Sequence, residues 1–331
     1  MMKRIGTVIV ELLAGASLLG AHAGAADVKT YQVSMESSVH AKGFRPHMDG
    51  RARDYKQAGA SRMDQGIPDT LDLRPRLTRI EDQGQCGSCW AFALTAMNRD
   101  GHAILGNDPG RLSQEWLVEN AKEGYGCNGG DFDAAYALER VGDPVETRGM
   151  MPPGGEPLWK DCPYAVPADL LWSTLTPAKK NWVESRGADP LAPCSALLAP
   201  AENGSISAWH MLGDAKKGPS VLDIETEIAG SGIPVAITVA AGAGDWENYS
   251  GGVYNGCTDG PIDHMIDIVG WDNEGATFDA DGNLPPGKGI WILRNSWGTS
   301  WGENGYMRTK MTDGAGLRCN EVAAQAAYFD F

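Results

Sequence analysis

Gln83, Cys89, His264 and Asn295 occur along this 331-residue chain in an order that suits thiol chemistry. Cys89 stands in Gln83-Gly84-Gln85-Cys86-Gly87-Ser88-Cys89-Trp90. Asn295 opens Asn295-Ser296-Trp297-Gly298-Thr299-Ser300-Trp301-Gly302, and Asp263-His264 lies between the two blocks. A thiolate, not a thiol, attacks a carbonyl carbon, and a nearby imidazolium stabilises it. Cys89 is then the nucleophile and His264 its base, resting as an ion pair. Asn295 accepts a hydrogen bond from His264 and fixes its tautomer without adding a full charge. The Gln83 amide and the Cys89 backbone N–H suit the negative oxygen of a tetrahedral intermediate. Trp297 and Trp301 shield the histidine–asparagine contact from water. Asp263 either tunes His264 or is a solvated loop acid.

These groups need a helix and strands to hold them. Trp90 to Met97 are helix formers or core residues, with Gly101 as the expected stop. A helix starting at Cys89 turns its positive end toward the sulfur. Leu112 to Val118 read as a second helix capped by Ser113, and Asp131 to Arg140 as a third. From about 205 onward, apolar or alternating runs between turn residues predict strands at 234–239, 265–270, 289–294 and 305–308. Helices first and strands later give an α+β class, with a cleft between two lobes, Cys89 on one wall and His264 on the other.

The two blocks resemble the papain-like cysteine peptidases. Cys86-Gly87-Ser88-Cys89-Trp90 is that family's local signature, and Arg294-Asn295-Ser296-Trp297-Gly298 its asparagine block. The resemblance implies a two-lobe fold with a helical left lobe (about 78–175) and a β-barrel-like right lobe (about 205–331). It implies a peptidase domain over 67–331, because Ile67 to Arg74 look like the family's mature N-terminus. His264 lies 175 residues after Cys89, against a usual spacing of about 130–150. An insertion of roughly forty residues within 145–205, rich in Pro and Gly with turns such as Pro152-Pro153-Gly154-Gly155, accounts for the excess.

Of seven cysteines, removing Cys89 as a free thiol leaves six, with fifteen possible pairings. The resemblance implies Cys86–Cys127 and Cys257–Cys319, leaving Cys162 and Cys194 to close a local loop. The family usually has a cysteine where Asn120 stands, so this third bridge departs from its pattern. The resemblance also implies that substrate backbone meets Gly129 and Gly130, and that the pocket for the side chain two before the scissile bond involves Phe132, Thr238, Met265 and Ala324, with Trp297 also bordering substrate. That set is largely apolar, so Leu, Val or Phe is expected there and Arg is not. Asp131 replaces an aromatic often found in the pocket.

Lys3 and Arg4, an apolar stretch from Ile5 to Gly20, and small residues around Ala23 read as a secretory signal peptide over 1–26. Its style suggests a bacterial exported protein, secreted or periplasmic. Disulfides point to the same oxidising compartment. Residues 27–66 read as a short propeptide, without the long helical pattern many family propeptides carry. They hold seven Lys and Arg against five Asp and Glu, whereas 67–331 hold 19 against 37. The basic segment is expected to cover the acidic cleft as the enzyme's own inhibitor. Nucleic acid and anionic membrane are poor partners for so acidic a body, with no membrane contact once the signal is removed. Partners are protein or peptide substrates, the chain is expected to be a monomer, and no cofactor or metal is expected.

Other readings compete. Cys86-Gly87-Ser88-Cys89 is also a C-x-x-C, as in thiol–disulfide exchange, but that leaves Gln83, His264 and Asn295 without roles. The other cysteines lack the paired close spacing of a zinc site. Asp279 to Asn283 faintly resemble a calcium loop; a hairpin turn before Pro285-Pro286 fits better. A catalytically idle binding or inhibitory protein on the same fold, or acyl transfer to an amine instead of water, are the alternatives to peptide hydrolysis.

Overall fold

The computed structural model describes residues 29–34, 40–46, 53–56, 66–121, 126–139, 158, 164 and 204–331. The signal peptide at 1–26, the Pro152–Gly155 turn, Cys162 and Cys194 lie outside the described residues, as does most of 145–205.

The first lobe is built on α1, Cys89–Ile104. Its Trp90, Leu94 and Met97 fall three or four residues apart and bury one stripe. The helix runs through Gly101 instead of stopping there. The missing side chain is a notch: a Cβ on Gly101 would collide with the ring of Phe331, the last residue of the chain. α2, Gln114–Asn120, is capped as expected, Ser113 accepting a hydrogen bond from the Trp116 N–H at 3.1 Å. The third expected helix is a 3-10 segment, Phe132–Leu138, capped by Asp131.

The second lobe is a sheet centred on β7, His264–Asp272. In chain order its strands are β1 Tyr31–Val33, β2 Tyr55–Lys56, β3 Thr70–Asp72, β4 Ala208–Leu212, β5 Val235–Val239, β6 Tyr249–Tyr254, β7, β8 Ile290–Arg294, β9 Tyr306–Lys310 and β10 Ala326–Asp330. β5 and β8 flank β7 antiparallel, and β3 also pairs with it. Side chains of β7 alternate between two cores. Met265 belongs to the core built on α1 with Trp90 and Phe132, while Ile266 and Ile268 belong to the core that holds Trp246, Trp271 and Trp291. β7 is thus the wall shared by both lobes. α3, Val221–Ser231, sits among the strands, so the order is not helices first and strands later. Ser220 and Asp223 form a reciprocal capping box at its start, and Gly232, at φ 71°, closes it.

The expected barrel-like closure is not found. The sheet is open, in the order β1-β6-β9-β8-β7-β5-β10-β4-β2. Each of its two edges is a short strand from residues 27–66. β1 pairs antiparallel with β6, and β2 pairs parallel with β4. An unpaired edge leaves backbone donors and acceptors open, and short added strands satisfy them without closing a ring.

Candidate active site

Cys89 is the first residue of α1, and His264 is the first residue of β7. The Met265 N–H, next to the histidine, donates to Cys89 Sγ at 3.4 Å, so helix and strand meet at these two residues. His264 Nε2 lies 2.9 Å from Asn295 Oδ1, just beyond the end of β8. The other ring nitrogen, Nδ1, has no hydrogen-bond partner among the described residues. Trp297 stacks on the imidazole with ring centres 4.7 Å apart, and Trp301 packs edge-on against Trp297. Both indoles are buried and keep water from the His264–Asn295 bond.

Gln83 ties the two lobes together beside the sulfur. Its Oε1 accepts from Ser296 Oγ at 2.6 Å, and its backbone N–H donates to Ser296 O. Its Nε2 donates to Cys86 O at 2.9 Å and to Ala41 O at 3.0 Å. Tyr164 supports this turn from behind, its hydroxyl 2.7 Å from Ser88 Oγ and 2.8 Å from Gln83 O. Neither Ser296 nor Tyr164 carried a signal in the sequence beyond its neighbours. Asp263 is not bonded to His264. It accepts from the Ala241 and Gly242 N–H groups, so it orders the loop before β7.

Residues 40–46 lie across this site. His40 stacks on the outer face of Trp297 at 4.3 Å. The Gly43 N–H points at Cys89 Sγ. A side chain at Gly43 would run into the Gly87 backbone, so only glycine passes over the thiol so closely. Phe44 donates its N–H to Asp263 O, while Gly130 bonds to Gly43 O and Arg45 N, each at 2.9 Å. The Phe44 ring is buried, tilted against the Phe132 ring, and belongs to the same core as Met265 and Ala134. Lys42 pairs with Glu247 and faces Asp263.

Burial under this segment governs the charges. The Cys89 thiol is pushed up to about 12, chiefly by desolvation, which outweighs three backbone N–H donors. His264 is driven down to about 3, again chiefly by desolvation, against the opposing pull of Asn295. Burial under the segment therefore favours a neutral thiol and a neutral imidazole, and works against the resting ion pair expected from sequence.

Gly130 pairs with Phe44, Gly129 lies against the Gly43 carbonyl, the Phe132 ring meets that of Phe44, and Met265, in the same core, pairs with Thr238 across β5 and β7. Ala324 instead lines a separate cavity of about 260 Å³ with Tyr55, Met211 and Gln325. Disulfides join Cys86 to Cys127 and Cys257 to Cys319, leaving Cys89 as a free thiol. Among the described residues no group of three or more His, Cys, Asp or Glu could hold a metal ion. Asp279 Oδ1 accepts from the Asp281 and Asn283 N–H groups, closing a turn on itself.

Residues 67–328 match the family model described as "Papain family cysteine protease". The chain belongs to the papain family of cysteine proteases. Its relatives include Cysteine protease 1 of Oryza sativa subsp. japonica, 28% identical over 84% of this chain and 48% of that protein. A cysteine proteinase of Brassica napus is 28% identical over 83% and 69%. The germination-specific cysteine protease 1 of Arabidopsis thaliana is 29% identical over 79% and 57%. The matched region thus spans only about half to two-thirds of these relatives' own length. All three are plant proteins, so the expectation of a bacterial source finds no support in them. Among solved structures, digestive procathepsin L2 proteinase from Tenebrio molitor has a TM-score of 0.61 at 20% identity, covering 91% of this chain and 84% of that one. A cysteine protease of Carica candamarcensis has 0.56 at 24%, covering 80% and 99%. These likenesses show the papain-like two-lobe fold.

Proposed function

We propose that this papain-family chain is an exported cysteine endopeptidase made as a self-inhibited precursor, with a signal peptide at 1–26, a propeptide at 27–66 and the peptidase domain at 67–331. One observation carries the reading. A peptide carbonyl, that of Ala41, is held by the Gln83 amide beside Cys89, with His264 Nδ1 unbonded among the described residues and its Nε2 bonded to Asn295. Once the segment leaves, the site regains water, and the thiolate–imidazolium pair becomes the favoured state. Cys89 Sγ then attacks the scissile carbonyl carbon, forming a C–S bond, and Gln83 and the Cys89 N–H hold the oxyanion. His264 gives its proton to the leaving amine as the C–N bond breaks. It next takes a proton from water, whose oxygen displaces the thiolate and releases the acid.

The propeptide resists the same chemistry because it runs the other way. In a substrate, residues at Gly129 and Gly130 precede the scissile carbonyl; here Gly43 to Arg45 follow the Ala41 carbonyl. The carbonyl is presented with reversed polarity, so the acyl and amine sides are exchanged. The two described disulfides support an oxidising compartment. No helix among the described residues is long and apolar enough to cross a membrane.

Hydrolysis of an internally quenched peptide with Leu two before the cut tests the reading. Cys89→Ala and His264→Ala are expected to lose all measurable turnover while folding normally, and Asn295→Ala to lose less, because it orients and does not react. Wild-type turnover by Cys89→Ala, or turnover surviving a thiol-alkylating reagent, would refute it. A fold-competent wild type that binds peptides without cutting them would favour the idle-binder alternative.

A further inference from the structure

A cavity of about 330 Å³ opens in the second lobe, between the start of α3, the turn at 279–288 and the loop after β9. That volume is near the lower end of the range for small-ligand pockets. Its floor is apolar: Ile224 of α3, Leu284, Trp291 of β8 and Met311 are buried members of the second core. Cys89, His264, Asn295 and Gln83 do not line it.

Residues 67–331 hold 19 Lys and Arg against 37 Asp and Glu. Against that background, two cations, Arg318 and Lys288, border this cavity beside one acid, Asp279. Asp279 Oδ1 is engaged by the Asp281 and Asn283 N–H groups. Lys288 is exposed at the rim, and Glu274, an acid its charge reaches, already pairs with Lys310. The Arg318 guanidinium donates to two carbonyls, from Nη2 to Pro219 O at 2.7 Å and from Nη1 to Ala323 O. Carbonyls satisfy N–H groups but carry no net charge, and among the described residues no carboxylate comes within ion-pairing reach of Arg318. Glu321, the acid that acts on it, lines the separate cavity that Ala324 borders. Asp214 and Asp223 border Arg318 in a further cavity, but one binds the Lys216 and Lys217 N–H groups and the other the Ser220 cap. A largely buried cation without an anion of its own is costly, and burial lowers its pKa.

We infer that this cavity binds a small molecule with an apolar body and a carboxylate, the body lying on Trp291 and Met311 and the carboxylate on Arg318, with Lys288 closing over it. A guanidinium has five N–H donors, so two carbonyl bonds leave room for a planar carboxylate. A doubly charged phosphate fits less well, because Asp279 stands in the same wall and the floor offers it no partner. A free organic acid and a peptide C-terminus ending in an apolar residue share this chemistry. The site lies outside the cleft and stands whether or not the chain cuts peptides.

Equilibrium dialysis against the full chain tests it, with octanoate and N-acetylleucine as probes and their neutral amides as controls. At least one acid is expected to fill a single site about tenfold or more tightly than its amide, as for hydrogen bonds to a charged group. The acid that binds more tightly identifies the source. Arg318→Gln should bring that acid to the level of its amide, and Lys288→Gln should weaken it about threefold. Val221→Trp, which fills the mouth from the first turn of α3, should abolish binding with the unfolding temperature unchanged. If Arg318→Gln does not fold, Lys288→Gln and Val221→Trp decide. No saturable binding of either acid at millimolar concentrations, equal affinity of each acid and its amide, or binding that Val221→Trp leaves intact overturns the inference.

Discussion

Replacing Phe44 by Ala in the full chain should uncover Cys89. Phe44 is 9% exposed, its ring meets that of Phe132, and it belongs to the core that holds Met265 and Ala134. Truncating a buried phenylalanine costs about 3–5 kcal/mol. We take about 3, because the ring lies at the rim of its core and the cavity can refill with water. The backbone bonds of residues 43–45 to Gly130 and Asp263 do not involve the ring and persist. The loss therefore falls on the balance between the covered and open cleft, and about 3 kcal/mol is about a hundredfold. The covered thiol, held at about 12 by burial, reacts only from the open state. Iodoacetamide labelling of Cys89 at pH 7.5, scored by mass on uncut chains only, should thus run about a hundredfold faster in Phe44→Ala than in the wild type. Val33→Ala, at a 40% exposed position of β1, is the control and should change the rate less than about threefold. A Phe44→Ala rate within threefold of wild type would show that the aromatic anchor does not hold the cover in place.

Acid should open the cleft, with the sign set by His40. Burial lowers its pKa, helped by Lys42, so the covered form keeps it neutral. Its contribution to covering is complete above the ordinary histidine value of about 6.5 and is lost as pH falls through the lowered value; His264 adds nothing in this range, because the covered neutral pair and the open thiolate–imidazolium pair hold the same number of protons. His40→Phe retains a ring against Trp297 but cannot titrate. Its Cys89 labelling, normalised to an uncovered 67–331 form at each pH, should rise less steeply than wild type between pH 6.5 and 5, by up to about tenfold per pH unit; parallel profiles would exclude His40. Gly101→Ala should destabilise the fold by about 1–3 kcal/mol in denaturant titration. The clash with Phe331 outweighs the gain of about 1 kcal/mol in helix propensity; a stabilised variant would show that the C-terminal ring can move aside at no cost.

Much of the site was legible in order along the chain because each chemical group sits in a short block whose neighbours are dictated locally. Cys89 must head a helix, His264 must open an apolar strand, and Asn295 must follow one, and those patterns depend on neighbours a few residues away. The Ser113 cap and the strands at β5, β7, β8 and β9 were readable for the same reason. Gly101 was misread because a glycine in a helix pattern looks like a stop until Phe331, 230 residues later, is seen to fill its notch. α3 escaped although Ser220 and Asp223 spell out its cap, since the surrounding text favours strands. What tertiary structure alone decided are the contacts made across long sequence separations. These are the open sheet edges taken by β1 and β2, Phe44 in the apolar pocket, and Arg53 on Asp131 and Asp133. Residues 40–46 and 53–56 have no periodicity because they build no core of their own. Their conformation is set by the cleft and sheet edges they cover, and their short-range sequence carries no trace of those partners. The neutral state of Cys89 and His264 is likewise a property of burial, which residue types and spacing leave open.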